Sequence, residues 1–263
     1  EQVVSSYLER LAENPNSETI PFSRSHPSST TSGTTTVSAI SQEFIHVPAS
    51  AFSNEIIEHY KAPALNLELQ NGLYVSKKKL QKSPEVISAG ARVGIDLQDR
   101  AENNGFLADI NWHESKQLVE NCLGMRMLTP ALYFPILKWA EANDNIFAED
   151  LKSYAEWLDA VTKEGAKNKT ARYIVHPDKD LNGGQDYLKC VLPQDNKFDY
   201  TDINPLHGLP ISFKDNGKFK QWYPEISPTA AFRSRSSELI LNLNREPSWS
   251  DGGLGVRVAK NFL

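Results

Sequence analysis

Residues 110–131 read INWHESKQLVENCLGMRMLTPA, and two helix starts stand close together in them. Asn111, followed three residues later by Glu114, makes a capping box: the Asn111 side chain takes an early backbone N–H and the Glu114 carboxylate reaches back to the cap. Trp112, Ser115, Val119 and Cys122 then recur on one helical face, and Gly124 closes the helix. Thr129-Pro130 opens the next one with a cap and a proline in the first helical position. Leu132, Tyr133, Ile136, Leu137 and Ala140 supply its apolar stripe.

Outward from this pair the signals change. Ser153 to Thr162, with Tyr154, Trp157, Leu158 and Val161 at helical spacing, predicts a third helix or turn. Upstream, Phe44-Ile45-His46-Val47-Pro48 reads as a strand ended by proline, Ala49 to Phe52 as the start of its return, and Gly90 to Leu97 as another strand. Downstream, Asp, Asn, Gly and Pro recur from His176 to Asp215 around short apolar pieces. Leu239–Leu243 and Leu254–Val258 are strand-like, with Gly252-Gly253 separating two stretches that could form a hairpin. Two helices in loop-rich surroundings predict an irregular α+β domain with short antiparallel strands.

The amino-terminal part is of another kind. Gln2 to Ala12 has the spacing of a short helix, and nine of the eleven residues from Ser28 to Ser38 are Ser or Thr. Such a stretch buries too little apolar surface to repay its ordering, so residues 1–42 read as an extension and linker and 43–263 as the main domain.

Composition narrows function by exclusion. The chain has 263 residues, 40% hydrophobic and 23% charged, with a net charge of −5; its mean hydropathy is −0.47. That balance argues against a phosphate-tracking, nucleic-acid-binding surface. No apolar run approaches the roughly 18 residues of a membrane-spanning helix, so membrane insertion is not expected. No secretory signal is read at Glu1. Cys122 and Cys190 allow one bridge but no disulfide framework or metal cluster.

The motifs of catalysis are missing as patterns: no H-E-x-x-H, C-x-x-C or G-x-S-x-G occurs, and the six histidines never pair at ligand spacing. The Glu114 beside His113 is explained by the capping box, and Asn168-Lys169-Thr170 is a formal glycosylation sequon. Asp178-Lys179-Asp180-Leu181-Asn182-Gly183 matches the first half of a calcium loop, but Lys189 stands where the bidentate twelfth ligand belongs. A weak Ca²⁺ site near Asp178, Asp180 and Asn182 is therefore the only cofactor considered; no catalytic or metal residue is assigned.

Four pieces, in order, resemble the formylglycine-generating-enzyme type of C-type lectin fold. Phe44 to Phe52 is similar to that family's opening F-V-x-I-P-A-G-x-F. Ile110–Ser115 through Gly124–Ala131 resembles its paired helices, V-S-W-x-x-A…G-x-R-L-P-T-x-A-E-W. Tyr154 to Asp159 resembles V-x-E-W-x-x-D, and Gly253 to Ala259 the I-G-F-R-x-A ending. The resemblance implies a single C-type lectin-like domain over 43–263. The sulfatase-modifying members work through a cysteine pair near the carboxy-terminal end; Trp222 to Leu263 contains no cysteine, so their chemistry is not expected.

Within the last piece, residues 232–257 are similar to the variable proteins of diversity-generating retroelements, x-x-G-S-x-A-G-x-F-x-L-N-L-N-x-x-P-S-x-S-x-x-x-I-G-F-R. Leu241-Asn242-Leu243-Asn244, Pro247-Ser248-x-Ser250 and Gly255-x-Arg257 stand at matching spacing. The resemblance implies a non-catalytic recognition protein, at a cell surface or virion, whose segment of about 230–257 is rewritten at adenines to meet a protein or glycan ligand. Its ligand-binding face would use Phe232, Arg233, Arg235, Ser236, Ser237, Arg245, Trp249, Asp251 and Gly253. Arg, Ser, Trp, Asp and Phe are also the side chains expected of an exposed contact surface. Adenine codons ending in a pyrimidine cannot yield Trp or Glu, so Trp249, Glu238 and Glu246 are fixed or use another template codon. Thr229-Ala230-Ala231-Phe232 replaces the family's R-G-G-S-W entry. The rival readings are an enzyme on the same fold with a relocated, metal-assisted site at Asp178 and Asp180, and an undiversified adhesin.

Overall fold

In the computed structural model, residues 42–60, 69–153, 155–166, 170–174, 187–191, 197–206, 208–222, 229–235 and 238–261 are described. They belong to the unit Ser38–Leu263. The amino-terminal helix and Ser/Thr linker, the calcium-like loop, the sequon's first two residues, and Ser236 and Ser237 lie outside the described residues.

The chain opens with β1 (Phe44–Val47), a 3₁₀ turn at Ala49–Ala51, and α1 (Asn54–His59), whose cap Ser53 accepts from the Ile56 N–H. Next come β2 (Leu73–Ser76) and α2 (Pro84–Arg92), capped by Ser83 with proline in the first turn. A short hairpin, β3 (Glu102–Asn103) and β4 (Phe106–Leu107), precedes α3 (Trp112–Lys116). Both hydrogen bonds of the Asn111–Glu114 capping box form, at 2.9 Å each. From Gln117 to Cys122 the helix widens to π geometry, and Leu118 and Val119 both enter the core. Gly124 ends it at φ +61°, a left-handed conformation that disfavours side chains.

After β5 (Arg126–Met127), α4 runs from Pro130 to Asn143. Thr129 caps it through the Leu132 N–H, and it is buried on most of its circumference, which makes it the central helix of one core. α5 (Asn145–Lys152) follows directly, capped by Asp144. The described elements that follow are a 3₁₀ turn at Tyr200–Asp202 and the strands β6 (Ala155–Ala166), β7 (Thr170–Ile174), β8 (Tyr187–Val191), β9 (Lys197–Phe198), β10 (Phe219–Trp222), β11 (Thr229–Arg235), β12 (Glu238–Arg245), β13 (Leu254–Val256) and β14 (Val258–Lys260).

The molecule is of mixed α+β class. One sheet has the order β1-β2-β14-β5; a larger one runs β8-β7-β6-β11-β12-β10-β9, with β13 added to β6. Most pairings are antiparallel, but β10 runs parallel to β12 and β13 parallel to β6.

Two cores lie on opposite faces of the large sheet. Successive strand residues point to opposite faces: Phe232 joins Tyr133, Phe134 and Phe219 on the α4 side, while neighbouring Ala231 joins Trp157, Trp112 and Val256 on the other. The Phe232 ring lies 4.6 Å from Tyr133 and 5.8 Å from Phe134, centroid to centroid. Trp112, Val119, Leu132, Leu137 and Trp157 are buried, as their spacing implies.

Several expectations are corrected. Ser153 to Thr162 supplies most of β6, because Glu156 to Ala160 are buried in succession between both cores, and a run buried on two faces carries no strand periodicity. Gly90 to Leu97 begins inside α2. Gly90 is needed for packing, since a Cβ there would lie 2.6 Å from the Leu97 side chain. Ala49 to Phe52 does not return along β1; that partner is β2. The stretches flanking Gly252-Gly253 are not hairpin partners: β12 pairs with β11 and β10, and β13 with β6. The expected pair of helices is joined by α1, α2 and α5.

Candidate functional site

The segment implied for recognition passes from inside the sheet to its rim. β11 lies between β6 and β12, so Phe232 is fully buried. Its place on an exposed face is withdrawn: it fills the aromatic core above α4. Arg233 and Arg235 sit on β11 opposite Ile240 and Glu238. Arg245 ends β12 at the other extremity. From Glu238 to Arg245 the strand spans about 23 Å at its usual rise. Among the described candidates, Arg233 and Arg235 on β11 thus lie toward one end of β12, and Arg245, Trp249, Asp251 and Gly253 at and beyond the other.

The described end is the loop from Arg245 to Gly253. Its only large exposed apolar side chain is Trp249, at 52%. Arg245, mostly covered, reaches Asp251 at 3.3 Å. Asp251 is partly exposed, and its Oδ1 accepts the Gly253 N–H at 2.8 Å. Within the loop the Trp249 N–H donates to Glu246 O and the Leu254 N–H to Asp251 O. The Trp112 N–H donates to Pro247 O at 3.0 Å, the Asp109 N–H to Asp251 O at 3.3 Å, and Asn103 Nδ2 to Gly252 O at 2.8 Å. Asp109 has φ +59°, a left-handed conformation an aspartate tolerates, and its carbonyl accepts from Arg100 Nη1 at 2.8 Å. Arg100 in turn pairs with Glu114 at 2.7 Å. The loop is thus held at three points by a segment that is itself braced.

Nothing in the sequence announced Asn103, Asp109 or Arg100 as supports; Asn103 and Gly252 are 149 residues apart. The Glu114 carboxylate is occupied by Asn111 and Arg100, in keeping with its structural reading. Burial lowers the pKa of His113, with Glu114 opposing. Among the described residues no group of three or more His, Cys, Asp or Glu stands ready for a metal. Cys122 is a free thiol whose pKa is raised by burial. No described helix is long and apolar enough to cross a membrane. What the loop offers is contact: an indole, an ion pair and backbone polar groups in a fixed arrangement.

No protein-family model matches the chain, and neither a curated protein nor a solved structure matches it at a significant level.

Proposed function

We propose that this chain is a non-catalytic recognition protein with a C-type lectin-like fold of the formylglycine-generating-enzyme type, and that its carboxy-terminal segment is diversified by a retroelement. The observation that carries the reading is Trp249: a half-exposed indole on a loop anchored by backbone hydrogen bonds. Exposing so large an apolar side chain gains nothing for folding, and aromatic side chains on fixed backbones are the usual anchors of binding surfaces.

The fold assignment draws support from the way the four resembling pieces meet. The Trp112 indole donates to Leu158 O at 2.9 Å and the Trp157 indole to Ile110 O at 3.0 Å, tying the second piece to the third reciprocally. Arg257 of the fourth piece grips Glu156 of the third at 3.1 Å, and Val258 pairs with Met127 of the second. β14 lies beside β2, which pairs with β1 of the first piece.

In this reading Trp249 is a fixed anchor and Arg245, Asp251 and Gly253 are display positions around it, and Arg233, Arg235, Ser236 and Ser237 are display positions on the strength of the resemblance alone. The ligand is a protein or glycan. The test is genomic: a reverse-transcriptase gene beside the coding sequence, with a template repeat matching codons 230–257 except at adenines. A neighbourhood without either removes the diversification claim.

A further inference from the structure

The exposed indole of Trp249 sits in surroundings whose charge does not balance. The Trp249 N–H donates to Glu246 O at 3.0 Å, closing a four-residue turn. In such a turn the first and last Cα atoms lie within about 7 Å of each other. Both residues are exposed, so a carboxylate stands beside the indole at the surface. Two residues further on is the partly exposed Asp251. Its backbone carbonyl takes the Asp109 N–H at 3.3 Å, which brings half-buried Asp109 against the same loop.

The described cations around the loop are already engaged. Arg245 is mostly covered and lies 3.3 Å from Asp251. Arg100 pairs with Glu114 at 2.7 Å and donates to the Asp109 carbonyl at 2.8 Å. Neither Glu246 nor Asp109 enters an ion pair among the described residues. With Arg245 set against Asp251 and Arg100 against Glu114, two negative charges are left over next to an open indole.

That surplus discriminates between kinds of contact. A neutral sugar or an apolar side chain laid on Trp249 would draw the Glu246 carboxylate out of water with nothing to offset its charge, which is costly. A cation offsets it, and the face of an indole attracts cations in its own right. A guanidinium does both at once: its plane stacks on the ring while its N–H groups stay at the edge, free to fork onto a carboxylate. An acidic surface also steers a basic partner toward it during encounter.

Resting on the reading of this loop as a recognition surface, we propose that its partner is a protein presenting an exposed arginine, whose guanidinium lies on Trp249 and pairs with Glu246, with Asp109 and Asp251 adding to the attraction. Trp249 supplies the platform and Glu246 the specific counter-charge.

The test uses the ¹⁵N-labelled full chain and the indole N–H resonance of Trp249, assigned by its disappearance in Trp249→Phe. The probe is acetyl-Gly-Arg-Gly-amide at low salt. Acetyl-Gly-citrulline-Gly-amide has nearly the same shape without the charge, and methyl α-mannoside stands for a neutral glycan. The expected result is a saturable shift of the Trp249 resonance with the arginine peptide, at a dissociation constant at least threefold lower than for either neutral probe. Glu246→Gln should weaken that binding about threefold, whereas Asp215→Asn, which removes the same charge from another exposed position, should leave it unchanged. Equal loss in the two variants would reveal attraction to net charge alone and overturn the site. A neutral probe binding as tightly as the arginine peptide overturns the arginine partner but keeps the loop as a recognition surface. A Trp249 resonance that no probe moves also overturns the proposal, while diversification of the segment is decided separately by the genomic neighbourhood.

Discussion

Two aromatic side chains in one segment, Phe232 and Trp249, have opposite prospects under substitution. Phe232 has no exposure and touches three other rings, so Phe232→Ser should cost about 3–5 kcal/mol, the range for emptying an aromatic core site. Trp249→Ser removes a side chain that is half in water and should shift stability by no more than about 0.5 kcal/mol. Urea unfolding of the two variants checks both; equal losses would mean that the Trp249 loop is structural. Arg257 poses a different residue-scale question. Its guanidinium donates to Glu156, Asp150, Ser76 O and Lys77 O from a fully buried position. Arg257→Met strands the Glu156 charge and should cost about 3–5 kcal/mol, whereas adding Glu156→Leu should recover part of that loss, since the uncompensated charge is then gone. A double variant less stable than the single one would contradict this account.

At the scale of elements, the 3₁₀ turn at Tyr200–Asp202 is fastened by carboxylates. Lys214 Nζ lies 3.1 Å from Asp199 and 2.7 Å from Asp202, and the Lys218 N–H donates to Asp199 at 2.8 Å. The Lys218 N–H, then Lys214, hold the Asp199 pKa below its ordinary 3.8. Lys214 does the same for Asp202. A carboxylate with a depressed folded-state pKa contributes stability that is present above the unfolded value and lost as pH falls through the folded one. Melting temperature should therefore drop below about pH 4, and Lys214→Met should make that drop shallower, as read from thermal melts across the acid range. An unchanged slope would show that Lys214 does not carry the effect. β12 offers a contrast within the same sheet: Leu241 is fully buried on the α4 side, and Leu241→Ala should cost about 2–5 kcal/mol.

For the molecule as a whole, one sheet serves two cores. Leu132 belongs to the core on the α4 side and Val256 to the core on the other, yet both cores draw residues from β6 and β11. Emptying either site should lower one common transition, because neither face of a shared sheet can dissolve while the other keeps its strands paired. Calorimetry of Leu132→Ala and Val256→Ala should each give a single endotherm at reduced temperature; two separated endotherms in either variant would show that the cores unfold independently.

The sequence by itself determined the features whose interactions close within a few residues. The capping box at Asn111 and Glu114, the Thr129–Pro130 start, the left-handed stop at Gly124 and the strand at Phe44–Val47 are all where local chemistry puts them. The buried residues of α4 were legible from their spacing, whereas Trp249 was placed on a surface only by the family resemblance, which placed Phe232 there as well. Tertiary structure alone decided the rest. Tyr154, Trp157, Leu158 and Val161 fit helical spacing, but Glu156 to Ala160 are buried in succession without alternation, and only the pairing of this segment with β11, β7 and β13 makes it a strand. Phe232 could not be told from a display residue until α4 covered it. The Arg257–Glu156 pair spans 101 residues and the Asn103–Gly252 bond 149. Contacts that distant leave no periodic trace, because the free energy that selects them comes from excluding water between surfaces which only the folded chain brings together.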